Sequence, residues 1–167
     1  MLWKPEFTTR IESGEGPPPL EATSLIGGQG LLEPGTVWVF GFDFQHIATW
    51  EIWARLLDDT APGHPKISFA YVTPVAERKH LAVLDQCMPI SRHRRTYLLS
   101  DSTLSLLKWS NFHLEEKVLA VIIRPDGTAL RMHGLPTEDA WEQFETELLA
   151  VLNGPAESAS LPPASGS

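Results

Sequence analysis

Apolar runs and helical repeats alternate along the first half of the chain. Residues 36–42 (TVWVFGF) are almost wholly apolar and rich in β-branched and aromatic side chains, which predicts a strand buried on both faces. Residues 47–57 place apolar side chains three and four positions apart, the spacing of an amphipathic helix. Residues 66–72 predict a second strand and residues 76–86 a second helix.

The next segments predict a short strand, a capped helix and a hairpin. Residues 97–99 predict an edge strand, and a helix over 104–109 follows it, capped by Ser100 or Asp101, because short polar side chains accept hydrogen bonds from a first helical turn. Residues 117–124 form another apolar run, which predicts a buried strand. The turn residues Pro125-Asp126-Gly127 then reverse the chain, so that residues 128–133 pair back.

A last helix is predicted from residues 136–139 onward. Thr137 is the expected N-cap, and the two acidic residues after it favour the positive end of the helix dipole. The inward face is expected to contain Trp141, Phe144, Leu148 and Leu149. The whole order is β-α-β-α-(β)-α-β-β-α, which predicts an α/β fold with a mixed central sheet flanked by helices.

Composition divides the chain into three parts. Residues 1–35 are rich in Gly and Pro, so we expect an extended N-terminal arm of the domain, with a short hairpin around Gly27-Gly28. Residues 36–152 carry the α/β domain. Residues 153–167 consist mainly of Gly, Ser, Ala and Pro, a composition typical of a disordered tail.

Charge and cysteine content narrow the classes of function. A net charge of −8 disfavours phosphate backbones and anionic lipid as partners, so we expect no nucleic acid. No apolar stretch reaches the roughly 18 residues of a membrane span, and no secretory signal is visible, which makes the cytoplasm the default expectation. Cys87 is the single cysteine, which excludes a disulfide within the chain.

Several segments resemble the peroxiredoxin (alkyl hydroperoxide reductase/thiol-specific antioxidant) family. Residues 17–42 are similar to its opening segment and first core strand, and residues 43–51 (DFQHIATWE) look like its active-site loop "D-F-T-x-x-C-P-x-E". The later runs 98–101 (LLSD) and 121–127 (VIIRPDG) are similar to its "l-l-S-D" and "F-I-I-D-P-D-G". The resemblance covers roughly residues 15–150 and implies a thioredoxin-like fold.

The residues that would carry redox chemistry are replaced. In the peroxiredoxin register the peroxidatic cysteine falls on Ala48 and the active-site threonine on Gln45. In a thioredoxin register the two cysteines fall on Glu51 and Ala54. The family's second-strand arginine, or the proline of thioredoxins, falls on or near Val118. Because peroxide reduction needs an activated thiolate, the resemblance implies a degenerate active site.

The expected function is therefore a non-catalytic, thioredoxin-like binding or assembly module. Some thioredoxin-like families without redox cysteines serve as assembly factors, and we expect a protein partner or self-association, as in a homodimer, with no cofactor. The alternative is a redox-responsive or peroxidase-like enzyme that uses Cys87 with an external thiol. The run Arg92-His93-Arg94-Arg95 would lower the pKa of that thiol if it lies nearby.

Candidate binding residues come from the loop before the first helix and from that helix. They are Asp43, Gln45, His46, Trp50, Glu51 and Trp53. If Trp50 or Trp53 is exposed, it would form an aromatic anchor for a partner; packing in the core is the competing interpretation. Asp43, His46 and Glu51 also form a conceivable metal-ligand set, whereas we expect no metal.

Overall fold

The computed structural model describes residues 9–18, 32–42, 47–62, 64–75, 77, 79–80, 95–113 and 116–160. Within these ranges the chain forms six strands and three helices. In chain order they are β1 (Arg10–Gly14), β2 (Thr36–Gly41), α1 (Ile47–Thr60), β3 (Ile67–Thr73), β4 (Arg95–Ser100), α2 (Ser105–Ser110), β5 (Val118–Ile123), β6 (Ala129–His133) and α3 (Glu138–Ser160). None of these helices is both long enough and apolar enough to span a membrane.

The six strands form one mixed sheet in the order β1-β6-β5-β2-β3-β4. Strands β2, β3 and β4 are parallel, whereas β5 is antiparallel to β2, β6 to β5 and β1 to β6. We call the end of the sheet where β2, β3 and β4 finish its carboxyl end. The start of β5, the end of β6 and the start of β1 lie at the same end, because Gly41 pairs with Val118, Leu119 with His133, and His133 with Arg10.

Both faces of the sheet are covered, as the apolar runs predict. One face packs against α1 and α3, and the core there includes Phe69, Ile122 and Phe144. The other face packs against the short helix α2 and includes Trp38 and Leu99. Strand β5 is buried at all six positions, which explains why its sequence is continuously apolar rather than alternating.

The predicted mixed sheet is confirmed, with its strands and three of the four predicted helices near the expected positions. β4 lies at one edge, as expected for residues 97–99. Asp101 and not Ser100 caps α2, because its carboxylate accepts hydrogen bonds from the backbone N–H groups of Ser105 at 3.2 Å and Leu106 at 3.0 Å. The hydroxyl of Ser100 instead donates to the carbonyl of Pro74.

The structure adds features near both ends that the sequence analysis does not predict. Part of the N-terminal arm is the sheet strand β1, held by antiparallel pairing with β6. The C-terminal helix continues to Ser160, past residue 153 where composition predicts a tail, since extending an existing helix needs far less than starting one. Leu149 is 38% exposed and so does not belong to the inward face. Most of the predicted helix 76–86 and the hairpin at Gly27-Gly28 lie outside the described residues.

Candidate functional site

The sequence predicts the degenerate active site in residues 43–54, which run from the loop after β2 into α1. Strand β2 ends at Gly41, at the carboxyl end of the sheet, and α1 begins six residues later at Ile47, so the loop between them starts at this end. Asp43, Gln45 and His46, three of the expected binding residues, lie outside the described residues, as does Cys87. Ala48 lies in the first turn of α1, and Glu51 follows on the same helix, where it is half-buried.

Trp50 and Trp53 are core residues and not exposed anchors. Their exposed fractions are 1% and 0%. The ring of Trp50 lies 5.9 Å from that of Phe69 and packs over Gly41, where an added Cβ would come 3.4 Å from the indole. Among the described residues, the indole N–H of Trp50 has no hydrogen-bond acceptor.

Trp53 connects α1 to the end of β6. Its indole N–H donates a hydrogen bond of 2.9 Å to the carbonyl of Gly134, directly after that strand. Its ring makes edge-to-face contacts with Phe144 and Trp141 of α3, at centroid distances of 5.2 and 6.0 Å. The helical spacing predicts that both tryptophans lie on one face of α1. In the structure, that face packs in the core.

An apolar cavity of about 180 Å³ opens at the carboxyl end of the parallel strands. Its lining combines the ends of β2 and β3 with the segment that leads into α2: Phe42, Val72, Thr73, Pro74, Asp101, Leu104 and Leu107. Leu104 is 38% exposed and adopts a left-handed backbone conformation (φ 56°), and Val75, next to the lining residue Pro74, is 62% exposed. The carboxyl ends of parallel strands are where α/β folds commonly bind ligands.

The carboxylate that lines this cavity is already hydrogen-bonded within the fold. Asp101 is 1% exposed, and besides capping α2 its carboxylate accepts a hydrogen bond from the hydroxyl of Ser105 at 3.0 Å. The carboxylate thus serves the fold, and what the cavity offers to a partner is apolar surface. Sequence analysis missed this cavity, although Phe42, at the end of the first apolar run, is the one signal that points to it.

A group of charged residues lies on the α2 side of the sheet, next to its β1 edge. Arg10 of β1 makes a double hydrogen bond to Glu116, with Nε to Oε2 at 2.7 Å and Nη2 to Oε1 at 3.0 Å. His133, which is fully buried at the end of β6, places its Nδ1 3.0 Å from Nη2 of Arg10 and 3.1 Å from Oε1 of Glu116. Glu12 and Arg131 complete the group, with Arg131 Nη2 3.3 Å and His133 Nε2 3.5 Å from Glu12 Oε1. We call these five residues the charged cluster.

The charged cluster shifts the pKa of three of its members, and that of Arg10 is raised, chiefly by its hydrogen bonds to Glu116. Burial raises the pKa of Glu116, but hydrogen bonds from Arg10 and from the backbone N–H of His113, together with the nearby positive charges, outweigh burial and lower it to about 2. Burial, and then the positive charge of Arg10, lowers the pKa of His133, while Glu116 and Glu12 oppose that shift. At neutral pH, Glu116 is therefore ionised and His133 is neutral.

Two aromatic contacts join the charged cluster to the cavity. The ring of Phe112 stacks on His133 at a centroid distance of 5.9 Å and packs against Phe42, a cavity residue, at 4.8 Å. Sequence analysis did not predict the cluster, because it assembles from three separate segments of the chain. Within the described ranges, no group of three His, Cys, Asp or Glu side chains is placed to hold a metal ion.

Comparison with known proteins identifies the fold and no specific family. No family model and no curated protein matches the sequence. Among solved structures, a candidate protein disulfide isomerase of Bacteroides thetaiotaomicron is similar over 91% of this chain and 97% of its own, with 13% identity and a TM-score of 0.53. A candidate thiol:disulfide interchange protein DsbE of Chlorobium tepidum matches over 86% of this chain and 100% of its own, at 13% identity and a TM-score of 0.49.

The mitochondrial 2-Cys peroxiredoxin of Plasmodium falciparum matches over 78% of this chain and 83% of its own, at 16% identity and a TM-score of 0.42. Of these three matches, the disulfide isomerase alone has a TM-score above 0.5, and at 13% identity it shows the fold alone. The strand order agrees with that result, since a parallel strand–helix–strand unit is followed by an antiparallel hairpin and a helix. The chain therefore has a thioredoxin-like fold, and its single cysteine is not among the residues of α1.

Proposed function

We propose that this chain is a non-catalytic, thioredoxin-like protein that acts as a binding or assembly module. The observation that carries the proposal is the set of residues that begins α1. The positions that the resemblance assigns to redox cysteines hold Ala48 in one register, and Glu51 and Ala54 in the other. None of these side chains supplies the thiolate that peroxide or disulfide chemistry requires.

The partner surface in this proposal is the carboxyl end of the sheet. The loop residues Asp43, Gln45 and His46, with Glu51, supply polar groups, and the cavity beside Phe42 and Leu104 takes up an apolar side chain. Trp50 and Trp53 support this surface from the core. The partner is another protein or a second copy of the chain. The proposed setting is the cytoplasm, where a lone thiol stays reduced.

A redox assay separates this proposal from the alternative enzyme. We expect the wild type and Cys87→Ser to consume hydrogen peroxide, and to reduce insulin disulfides, no faster than buffer does in the presence of dithiothreitol, because the thiolate site is missing. An active peroxiredoxin measured in parallel verifies the assay. Turnover by the wild type that Cys87→Ser abolishes would establish the single-thiol enzyme and overturn the proposal.

The proposed surface is tested with two leucines of equal exposure. Leu104 lies at the cavity and Leu149 on α3, and each is 38% exposed. We expect Leu104→Gln to weaken self-association, or capture of the cellular partner, about tenfold or more, since the new amide would be buried without a hydrogen-bond partner in an apolar contact, whereas Leu149→Gln leaves both unchanged. Sedimentation velocity measures self-association, and quantitative affinity capture measures the partner. Equal binding by the two variants would exclude this cavity as the partner surface.

A further inference from the structure

The cavity at the carboxyl end of the sheet has a buried floor and an exposed rim. Val72 and Asp101 are buried, whereas Pro74 and Leu104 are exposed. The cavity volume of about 180 Å³ is below the roughly 300–1,000 Å³ of sites that bind drug-sized molecules and cofactors. It is close to the volume of roughly 150 Å³ at which an apolar cavity binds benzene. The space therefore suits one ring-sized apolar group and is too small for a nucleotide.

The rim residue Leu104 has a backbone conformation that does not suit leucine. Its φ of 56° lies in the left-handed region, which glycine adopts without strain. The conformation is fixed on both sides, because the N–H of Leu104 donates to the carbonyl of Asp101 and its carbonyl accepts from the N–H of Lys108, each at 3.0 Å. The side chain is 38% exposed and belongs to neither core. The strained backbone thus places an apolar side chain at the rim of the cavity.

The lining of the cavity favours a neutral aromatic group. Phe42 contributes an aromatic ring, which packs against Phe112 at a centroid distance of 4.8 Å, and rings attract one another in offset or edge-to-face contacts. Asp101 contributes a buried carboxylate whose oxygens already accept hydrogen bonds from Ser105 and Leu106. An acidic group in the cavity would be repelled by this carboxylate, and the repulsion is strong where water is excluded.

We propose that the occupant of this cavity is an aromatic side chain presented by a neutral or basic segment of a different protein. The inference rests on the proposed function, which assigns the cavity to a partner. Val75, which is 62% exposed and follows the lining residue Pro74, extends the apolar surface beyond the area that a free ring-sized molecule would cover. Because the chain has a net charge of −8, a second copy is repelled and a basic segment is attracted.

Titration with short peptides tests the aromatic occupant directly. The probe is a capped peptide with a central phenylalanine, a glycine on each side and a lysine at each end. We expect it to shift the methyl signals of Val72, Leu104 and Leu107 in nuclear magnetic resonance spectra of the wild type. The methyl signals of Leu148, on the opposite face of the sheet, should not move.

Three matched peptides separate the contributions to binding. A central leucine should weaken binding about threefold or more, because the ring contact with Phe42 is lost. A central alanine should weaken binding about tenfold or more, because most of the buried apolar surface is lost. Glutamate in place of both lysines should weaken binding about threefold or more at low salt, because the chain is acidic.

Leu104→Gly separates binding from folding. Glycine removes the rim side chain and the backbone strain together, so the melting temperature should fall by no more than about 3 °C. The phenylalanine peptide should bind this variant about fivefold more weakly or less, because one apolar contact is missing. Leu149→Ala, at an equally exposed position on α3, should bind the peptide as the wild type does. The wild-type titration decides the question even if Leu104→Gly does not fold.

Three results would each overturn the aromatic occupant. They are cavity methyl signals that stay unchanged up to the solubility limit of the peptide, equal affinities for the phenylalanine and leucine peptides, and a wild type whose self-association the peptide reverses, since the occupant is then a second copy. None of them removes the proposed binding function, which depends on the comparison of Leu104→Gln with Leu149→Gln. Equal partner capture by those two variants would remove the proposed surface even if the peptide binds.

Discussion

Replacing Trp53 by alanine should lower the free energy of unfolding by about 3–5 kcal/mol, the range for large aromatic side chains lost from a core. The side chain is 0% exposed and packs against Phe144 and Trp141. The substitution also leaves the buried carbonyl of Gly134 without the indole N–H that it accepts from at 2.9 Å. Urea denaturation followed by circular dichroism measures the change.

Two control variants separate the contributions to this loss. Trp53→Phe keeps most of the ring packing but removes the N–H, so we expect it to cost about 1–3 kcal/mol. Ile52→Ala alters the neighbouring side chain, which is 45% exposed, and should cost less than about 1 kcal/mol. A Trp53→Ala loss no larger than that of Ile52→Ala would show that α1 is not anchored to the core through this residue.

The fold was predictable where burial alone determines the sequence pattern. Strands β2 and β5 are covered on both faces, which makes them continuously apolar and easy to recognise. The hairpin turn is equally clear, because Gly127 takes a positive φ of 92° that glycine adopts without strain. These local signals, in their order, were enough to predict the mixed sheet, and the resemblance to peroxiredoxins implied the thioredoxin-like fold.

Pairing between distant segments left no comparable signal. β1 has only one partly buried apolar residue, Ile11, and its register is set by a strand more than a hundred residues later. The same distance hides the charged cluster, since Arg10 and His133 are 123 positions apart. A single arginine and a single histidine are each ordinary surface residues by composition, and only the folded sheet makes them neighbours.

In the structure, β2 ends at Gly41, where the loop before α1 starts, and residues 43–46 lie outside the described residues. The sequence points to this loop as the candidate site. It does not show that Trp50 and Trp53 are turned into the core, because helical spacing alone gives both the same face without giving the direction of that face. The cavity beside Leu104 forms where the ends of β2 and β3 lie next to the start of α2. No local sequence pattern predicts that these three segments are neighbours.

Glu116→Gln is the second change with a large expected effect, and its effect should depend strongly on pH. The pKa of Glu116 falls from an ordinary 4.5 to about 2, because the hydrogen bonds and positive charges around it outweigh burial. A carboxyl group with a lowered pKa in the folded state contributes stability that is complete above pH 4.5 and is lost as the pH falls toward 2. We expect Glu116→Gln to cost about 2–3 kcal/mol near neutral pH.

The free energy of unfolding at acidic pH distinguishes stabilisation by the charge of Glu116 from a simple loss of packing. The difference between wild type and Glu116→Gln should shrink steadily below pH 4.5, because protonated Glu116 is almost isosteric with glutamine. Measuring both proteins in the His133→Gln background removes the histidine titration from the comparison. Glu142→Gln, on the exposed side of α3, should stay within about 0.5 kcal/mol of its parent. A penalty for Glu116→Gln that is the same from neutral pH to about pH 3 would mean that the charge of Glu116 does not stabilise this fold.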